Sequence, residues 1–308
     1  MSVPLLVFTW NLHGKEEALQ SACRYLARRT PCIATFQELP EGGATAIERY
    51  SRGLLRQVIS LRRRLAIVVS TDVSTMNGQA LAPGGFPNVD QRMIEVTLTN
   101  TAFESLRFFA VHLPSRRDLS EGQRDAPLSR LAHAFHDAWG GGPAVLAGDF
   151  NADPYHREIA ARGFFWAVRD RGELTDRRRQ ILRSELSIDV RHGGKTYPSA
   201  SDLRGLPTLR DRSPLFNPMW KCLAERREHP RGTHRYLDDH CGISWHCYDQ
   251  ILLSPDLVES VQRLRILTRL GRATLIDAQR KRPTKAYGDH LPVKLELHPS
   301  DASDAIQE

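Results

Sequence analysis

The sequence predicts a layered fold of strands and helices, α/β or α+β in type, and three observations carry that reading. Strand-like and helix-like segments alternate along the chain. The strand-like segments include short, almost wholly apolar runs such as Leu5-Leu6-Val7-Phe8-Thr9-Trp10 and Cys32-Ile33-Ala34-Thr35-Phe36-Gln37, as expected of strands covered on both faces. Several of these runs end in a polar side chain: Asn11, Glu38, His112 and Asp149. Strand ends that converge on one edge of a sheet are where such folds build a site.

The elements follow in order. After the first strand, Leu19, Ala22, Cys23 and Leu26 recur at helical spacing before the Cys32–Gln37 strand. Leu65-Ala66-Ile67-Val68-Val69 reads as a buried strand, and Met93–Leu98 and Leu106–Val111 as two more. Pro127 suits the first turn of a helix whose buried stripe is Leu128, Leu131, Ala132, Phe135 and Trp139. Gly140-Gly141-Gly142 ends that helix, and Ala144–Ala147 delivers Asp149. From about 169 to 245 the chain turns polar, charged and Pro/Gly-interrupted, as insertions around a site would. Regularity returns with Tyr248–Ser254 and a last strand over Val293–Leu297.

Bulk properties set bounds. The candidate site residues run from Asn11 to His290, so one domain over 1–298 with a tail at 299–308 is expected. The net charge of +7 fits an anionic partner and bears on attraction to polyanions more than on fold. Five cysteines (Cys23, Cys32, Cys222, Cys241, Cys247) are odd in number and not spaced as a disulfide framework, which points to a reducing compartment. The N-terminus reads as a strand, not a signal peptide, and no run is long enough to span a membrane. A cytoplasmic protein with no obligate protein partner is the expectation.

Glu38, Asp149, Asp249 and Asp289 would place four carboxylates in one cleft beside Asn11 and Asn151. Asp249 and Asp289-His290 precede their strands where the others follow theirs, so all meet at one edge if the last strands run antiparallel. Bare carboxylates so gathered raise one another's pKa unless a cation is present. Hard oxygen ligands favour Mg²⁺ or Mn²⁺ over zinc, and such an ion can bind phosphate oxygens and stabilise a leaving oxygen. His112 and His290 add hydrogen-bond donors or proton carriers. These are the parts needed to hydrolyse a phosphoester.

Six segments in this order carry a family resemblance: Thr9-Trp10-Asn11, Gln37-Glu38, His112-Leu113-Pro114-Ser115, Gly148-Asp149-Phe150-Asn151, Tyr248-Asp249-Gln250-Ile251-Leu252-Leu253-Ser254 and Gly288-Asp289-His290. The chain resembles the endonuclease/exonuclease/phosphatase superfamily over essentially its whole length. The resemblance implies a four-layer α/β sandwich, DNase I-like, with two mixed sheets face to face and helices outside. It implies Glu38 as main metal ligand, helped by Asn11 and Asp289, and one tightly bound Mg²⁺ with Mn²⁺ as substitute. It implies Asp149 activating or orienting the attacking water, Asn151 positioning phosphate, and His290, oriented by Asp249 or Asp289, binding or protonating the phosphoryl group. His112 matches the second catalytic histidine of the DNase I and sphingomyelinase branches. The segment at His112 departs from the Tyr-x-Pro-Asn of exonuclease III-like members, which favours a DNase I-like or phosphodiesterase role over abasic-site repair.

Plainer readings stand beside these. Singly, Asp149 and Asn151 are ordinary turn residues, and His112 could be structural. His240-Cys241 and His246-Cys247 are adjacent pairs without the usual zinc-ligand spacing. Arg116 and Arg117 are the basic pair best placed to reach a substrate phosphate; Arg62–Arg64, Arg177–Arg179 and Arg280-Lys281-Arg282 read as solvated faces. Trp220 could stack on a base and His234 could touch substrate. The expected activity is metal-dependent phosphodiester hydrolysis, with DNA as substrate. Hydrolysis of a phospholipid headgroup or small phosphoester is the alternative, and an inert nucleic-acid-binding module the second.

Overall fold

The computed structural model describes residues 3–61, 64–82, 91–99, 101–103, 105–115, 121–169, 171–174, 213–224, 230, 232–235, 245–277 and 282–299. Its strands are β1 (Leu5–Asn11), β2 (Cys32–Gln37), β3 (Leu55–Ser60), β4 (Ala66–Ser70), β5 (Ser74–Leu81), β6 (Met93–Thr99), β7 (Leu106–His112), β8 (Ala144–Asp149), β9 (Ala167–Val168), β10 (Leu215–Phe216), β11 (His234–Arg235), β12 (Trp245–His246), β13 (Asp249–Leu253), β14 (Val261–Ile266), β15 (Arg269–Leu270), β16 (Ala273–Thr274), β17 (Ile276–Asp277), β18 (Arg282–Pro283) and β19 (Val293–Leu297). Helices α1 (Glu16–Leu26), α2 (Gly43–Ser51), α3 (Glu121–Trp139) and α4 (Arg157–Ala160) intervene, with a short helix at Trp220–Ala224.

Among the described residues two mixed sheets dominate. One has the order β14-β19-β1-β2-β4-β3, the other β5-β6-β7-β8-β13-β10-β9. The period-2 geometry of a strand sends alternate side chains to opposite faces, and the apolar runs use both. On β1, Leu5 and Val7 join a core shared with Phe108, Ala110, Val145, Ala147 and Ile251 of the other sheet. Leu6, Phe8 and Trp10 instead pack with Leu19, Ala22, Leu26 and Ile47 of α1 and α2. The outer face of the second sheet, through Phe109 and Leu146, meets Leu128, Leu131, Phe135 and Trp139 of α3. Helix, sheet, sheet and helix stack as four layers, as the sequence leads one to expect. Each fully buried Phe or Leu in these layers contributes about 1.5–3 kcal/mol.

One element differs. Helix α3 begins at Glu121, so Pro127 lies inside it and not in its first turn. Proline removes one N–H and crowds the carbonyl four residues back. Tertiary contacts offset that: the guanidinium of buried Arg124 donates to Pro114 O at 2.9 Å and pairs with Glu158 at 3.4 Å, tying the turn before the proline to the body.

Candidate active site

Strand register assembles the site. Parallel β1 and β2 pair Asn11 with Gln37, so Asn11 and Glu38 leave the first sheet side by side. Parallel β7 and β8 pair His112 with Asp149, and antiparallel β13 pairs Asp249 with Asp149. β19 runs antiparallel to β1, so Asp289 and His290 return to the same edge. Gly148 permits the close fit: at φ 154° a Cβ there would lie 1.8 Å from Val111 O, so any side chain would push β8 off β7 and move Asp149 away from His112.

The floor of the site is buried and hydrogen-bonded. Asn11 Nδ2 donates to Glu38 Oε1 at 3.0 Å and to Asp149 Oδ2 at 2.9 Å, holding the two carboxylates together. Its oxygen accepts the His13 N–H at 3.0 Å. Asp149 Oδ1 accepts the Asn151 N–H at 2.8 Å. Asp249, fully buried, accepts the Asn11 N–H at 3.3 Å and lies 2.7 Å from His290 Nδ1. Trp10 Nε1 donates to His290 O at 3.1 Å, fixing that histidine's backbone. His112 Nε2 stands 3.9 Å from both Glu38 Oε1 and Asp149 Oδ2. Asn151 adopts φ 47°, and its Nδ2 donates to Leu113 O at 2.9 Å.

The rim is more open. The side chains of Glu38 and Asp289 are 38% and 47% exposed, and His13 Nδ1 sits between them at 3.7 and 3.3 Å. The sequence reading did not single out His13. Its spacing two residues past Asn11 was the available signal, but only a left-handed backbone (φ 48°) turns it back over the cluster. His234 is buried behind Asp289, its Nε2 3.5 Å from Asp289 Oδ2 and its ring stacked on Tyr248. Trp220 is partly buried with Tyr155 as ring neighbour at 6.3 Å. Arg116 and Arg117 lie outside the described residues, as do His240, Cys241, Arg62, Arg63, Arg177–Arg179, Arg280, Lys281 and the tail from 300.

Electrostatics follow from these neighbours. Burial works against a charged His290, but Asp249, with Asp149 and Asp289, outweighs it and raises the pKa to about 10. Burial lowers the pKa of His234, opposed in part by Asp289. Burial also acts to raise Asp289, yet His234, His290 and His13 hold it well below the usual carboxylate range. The upward shift expected of crowded carboxylates is therefore reversed here, because histidines face this one. Away from the cluster, His246 Nδ1 lies 2.7 Å from Asp153, and burial pushes the Cys247 thiol well above its ordinary value.

Two groupings of polar side chains come close enough to be weighed as cation sites. His234, Asp289 and His290 bring one side-chain atom each within 4.8 Å of one another, but His290, held charged by Asp249, has no lone pair to give a cation, which leaves the rim carboxylates. Glu38 and Asp289 flank the position taken by His13 Nδ1. Asp289 Oδ1 makes no hydrogen bond among the described residues, its neighbours being His13 Nδ1 at 3.3 Å and His290 Nε2 at 3.9 Å, so a cation displacing His13 would gain that oxygen as a ligand.

No protein-family model matches the chain, and no curated protein matches it. Solved structures do. A mannosyl-6-phosphatase from Bacteroides thetaiotaomicron superposes with a TM-score of 0.59 at 17% identity, covering 96% of this chain and 100% of that one. An endonuclease/exonuclease/phosphatase family protein from the same organism gives 0.58 at 16%, covering 96% and 98%. A humanized TDP2 from D. rerio gives 0.55 at 14%, covering 96% and 99%. The chain has the fold of the endonuclease/exonuclease/phosphatase superfamily.

Proposed function

We propose that the chain is a metal-dependent phosphodiesterase, acting on DNA. The observation that carries this is the gathering of Glu38, Asp149, Asp249 and Asp289 with His112 and His290 at one edge of both sheets, with Asp249 2.7 Å from His290. Carboxylates and a charged imidazole in one cleft are what an in-line displacement at phosphorus requires. Glu38 and Asp289, with Asn11 beside them, would hold Mg²⁺, or Mn²⁺ in its place; the ion would offset charge on the phosphoryl oxygens and the leaving oxygen.

The chain's own residues supply the rest. Asp149, held by Asn11 and by the Asn151 N–H, orients the attacking water and accepts its proton. His290, kept charged by Asp249, donates a hydrogen bond to a phosphoryl oxygen whose charge grows in the transition state. His112, on the Glu38 and Asp149 side, provides a second donor. Asn151 faces the same edge and positions the phosphate. Arg116 and Arg117, close in sequence to His112, would extend the phosphate contact. The shared core of both sheets supports one domain over 1–298, and five cysteines, odd in number and not spaced as a disulfide framework, support a reducing, cytoplasmic setting. Among the described residues no helix is long and apolar enough to cross a membrane.

The test is hydrolysis of supercoiled plasmid, linear duplex, single-stranded DNA, RNA and a chromogenic bis-phosphodiester, with Mg²⁺, Mn²⁺ or EDTA, beside Glu38→Ala. Metal-dependent nicking that Glu38→Ala abolishes is the expected result. A second reading, hydrolysis of a small phosphoester, is favoured by one observation: the sugar phosphatase superposes at least as well as the TDP2 structure. Cleavage of the small diester alone would select it.

A further inference from the structure

Non-glycine residues with positive φ are uncommon and strained, and such strain collects where function requires it. Three of them, His13, Glu38 and Asn151, belong to the cluster already described. A fourth, Arg64 at φ 59°, adjoins it. Arg64 sits in the turn between β3 and β4, where its N–H bonds Leu61 O at 2.9 Å and its carbonyl accepts the Leu39 N–H at 3.0 Å. The turn is thereby fastened to the residue that follows Glu38. Its guanidinium crosses to the loop after β1, with Nη1 3.8 Å from where a Cβ on Gly14 would stand. The Gly14 N–H in turn bonds Glu38 O at 2.8 Å. Arg64 pairs with no carboxylate within 4 Å among the described residues, and it is exposed.

A groove of about 460 Å³ opens beside it, lined by Leu39, Glu41, Thr45, Gln57, Ser60 and Arg64. The backbone is held in a costly conformation, and the guanidinium it presents pairs with no carboxylate among the described residues. A planar guanidinium of that kind suits a phosphate. Arg64 belongs to a run of three arginines that in sequence reads as a solvated face; its guanidinium lies beside Gly14, next to His13 of the cluster.

We infer that Arg64 binds a second phosphate of the substrate, one unit removed from the phosphate that is cleaved. The groove that Arg64 lines together with Leu39, the residue after Glu38, is its subsite, and Glu41 at the groove is the charge that limits how tightly an anion sits there. This rests on the phosphodiester reading above. The ligand is a phosphate either along a nucleic-acid strand or on a polyphosphorylated small molecule.

The test compares an oligonucleotide, a bis-aryl phosphodiester and the same diester carrying an added terminal phosphate, using wild type, Arg64→Gln, Arg64→Lys and Glu41→Gln. Arg64→Gln raises KM about ten-fold for a substrate with a second phosphate and changes the plain diester less than about two-fold. Arg64→Lys falls between, Glu41→Gln lowers KM, and the salt dependence of oligonucleotide affinity loses about one unit of slope in Arg64→Gln. An effect on the oligonucleotide alone identifies a strand as the source; an effect on the added terminal phosphate alone identifies a small molecule. Arg64→Gly, which relaxes the left-handed backbone, keeps the fold and repeats the loss. Equal losses on all three substrates, or no change on either bearing a second phosphate, overturn the inference. Binding of a fluorescent oligonucleotide and of the phosphorylated diester in EDTA makes the same comparison without turnover, so failed hydrolysis and a failed Arg64 subsite give different results.

Discussion

The floor and the rim of the site are built in opposite ways. On the floor, Asp149, Asp249 and His290 are buried, their partners set by strand register at 2.7–3.3 Å. At the rim, Glu38, His13 and Asp289 are about half exposed, and His13 Nδ1 stands 3.3–3.7 Å from the two carboxylates. The floor is a satisfied hydrogen-bond network, complete without any added group. The rim is an unfinished electrostatic arrangement, in which an imidazole stands between two carboxylates at distances too long to satisfy either. Buried networks fix geometry; half-exposed charges exchange partners readily. On the proposed reading, the proton-handling groups belong to the floor, and the rim is where a cation would enter.

That division is tested most severely by Glu38→Ala. It should cost turnover on the order of 10³-fold yet change unfolding free energy by only about 1 kcal/mol, the worth of the one hydrogen bond it accepts from Asn11. A large loss in a urea titration would show that the rim is structural after all. Asp249→Ala should do the reverse in proportion. It removes from buried His290 the carboxylate that keeps it charged and from the Asn11 N–H its acceptor, a loss of about 3–5 kcal/mol, readable as a lowered urea midpoint. Gly148→Ala strikes the floor by sterics alone: its Cβ would collide with Val111 O, and about 3 kcal/mol or more should be lost. Wild-type stability in that variant would mean β7 and β8 can part without cost.

The floor also makes a pH prediction for the metal-free protein. His290 has its folded pKa raised from 6.5 to about 10, so folding favours its proton. The stability this contributes is complete below about pH 6.5, its unfolded value, and is lost as pH rises through the folded value. Asp289 has the opposite sign: its lowered pKa stabilises above the ordinary carboxylate range and fades as pH falls. The stability gap between wild type and His290→Gln, from urea unfolding in EDTA, should therefore narrow from pH 6 to pH 10. A constant gap would mean that the Asp249–His290 contact is a neutral hydrogen bond.

Floor and rim also differ in how legible they are in the sequence. β1, β2, β8 and β13 are buried along their whole length, so each appears as an apolar run with a polar residue at its end. Strands β5 and β14 do not. Ser74–Leu81 is mostly exposed and polar, with Asn77 at positive φ, while Val261–Ile266 interleaves Gln262, Arg263 and Arg265. Both are edge strands held by backbone bonding to one neighbour, which leaves little side-chain signature. The same reason hides the rim. His13 and Arg64 are placed by left-handed turns and not by strand periodicity, so nothing in their spacing shows where they point. The direction of the Asn11 amide is likewise set by its neighbours: expected as a metal ligand, it stands here as donor to both carboxylates. His234, read as a substrate contact, lies behind Asp289 because β11 pairs with β12 and bridges to His290, pairings that no local pattern announces.

The gentlest test of the rim is His13→Ala. If His13 occupies the place between Glu38 and Asp289 that Mg²⁺ takes in the working enzyme, the imidazole competes with the ion. Removing it should then lower the Mg²⁺ concentration for half-maximal rate. The contacts are long and the side chain is 51% exposed, so the competing interaction is worth no more than about 0.2–1 kcal/mol, a shift of about 1.4- to 5-fold, with the maximal rate nearly unchanged. A Mg²⁺ titration of the initial rate measures it. A higher requirement would make His13 a ligand instead of a competitor, and the rim would then be a three-residue metal site with its own preference for softer ions.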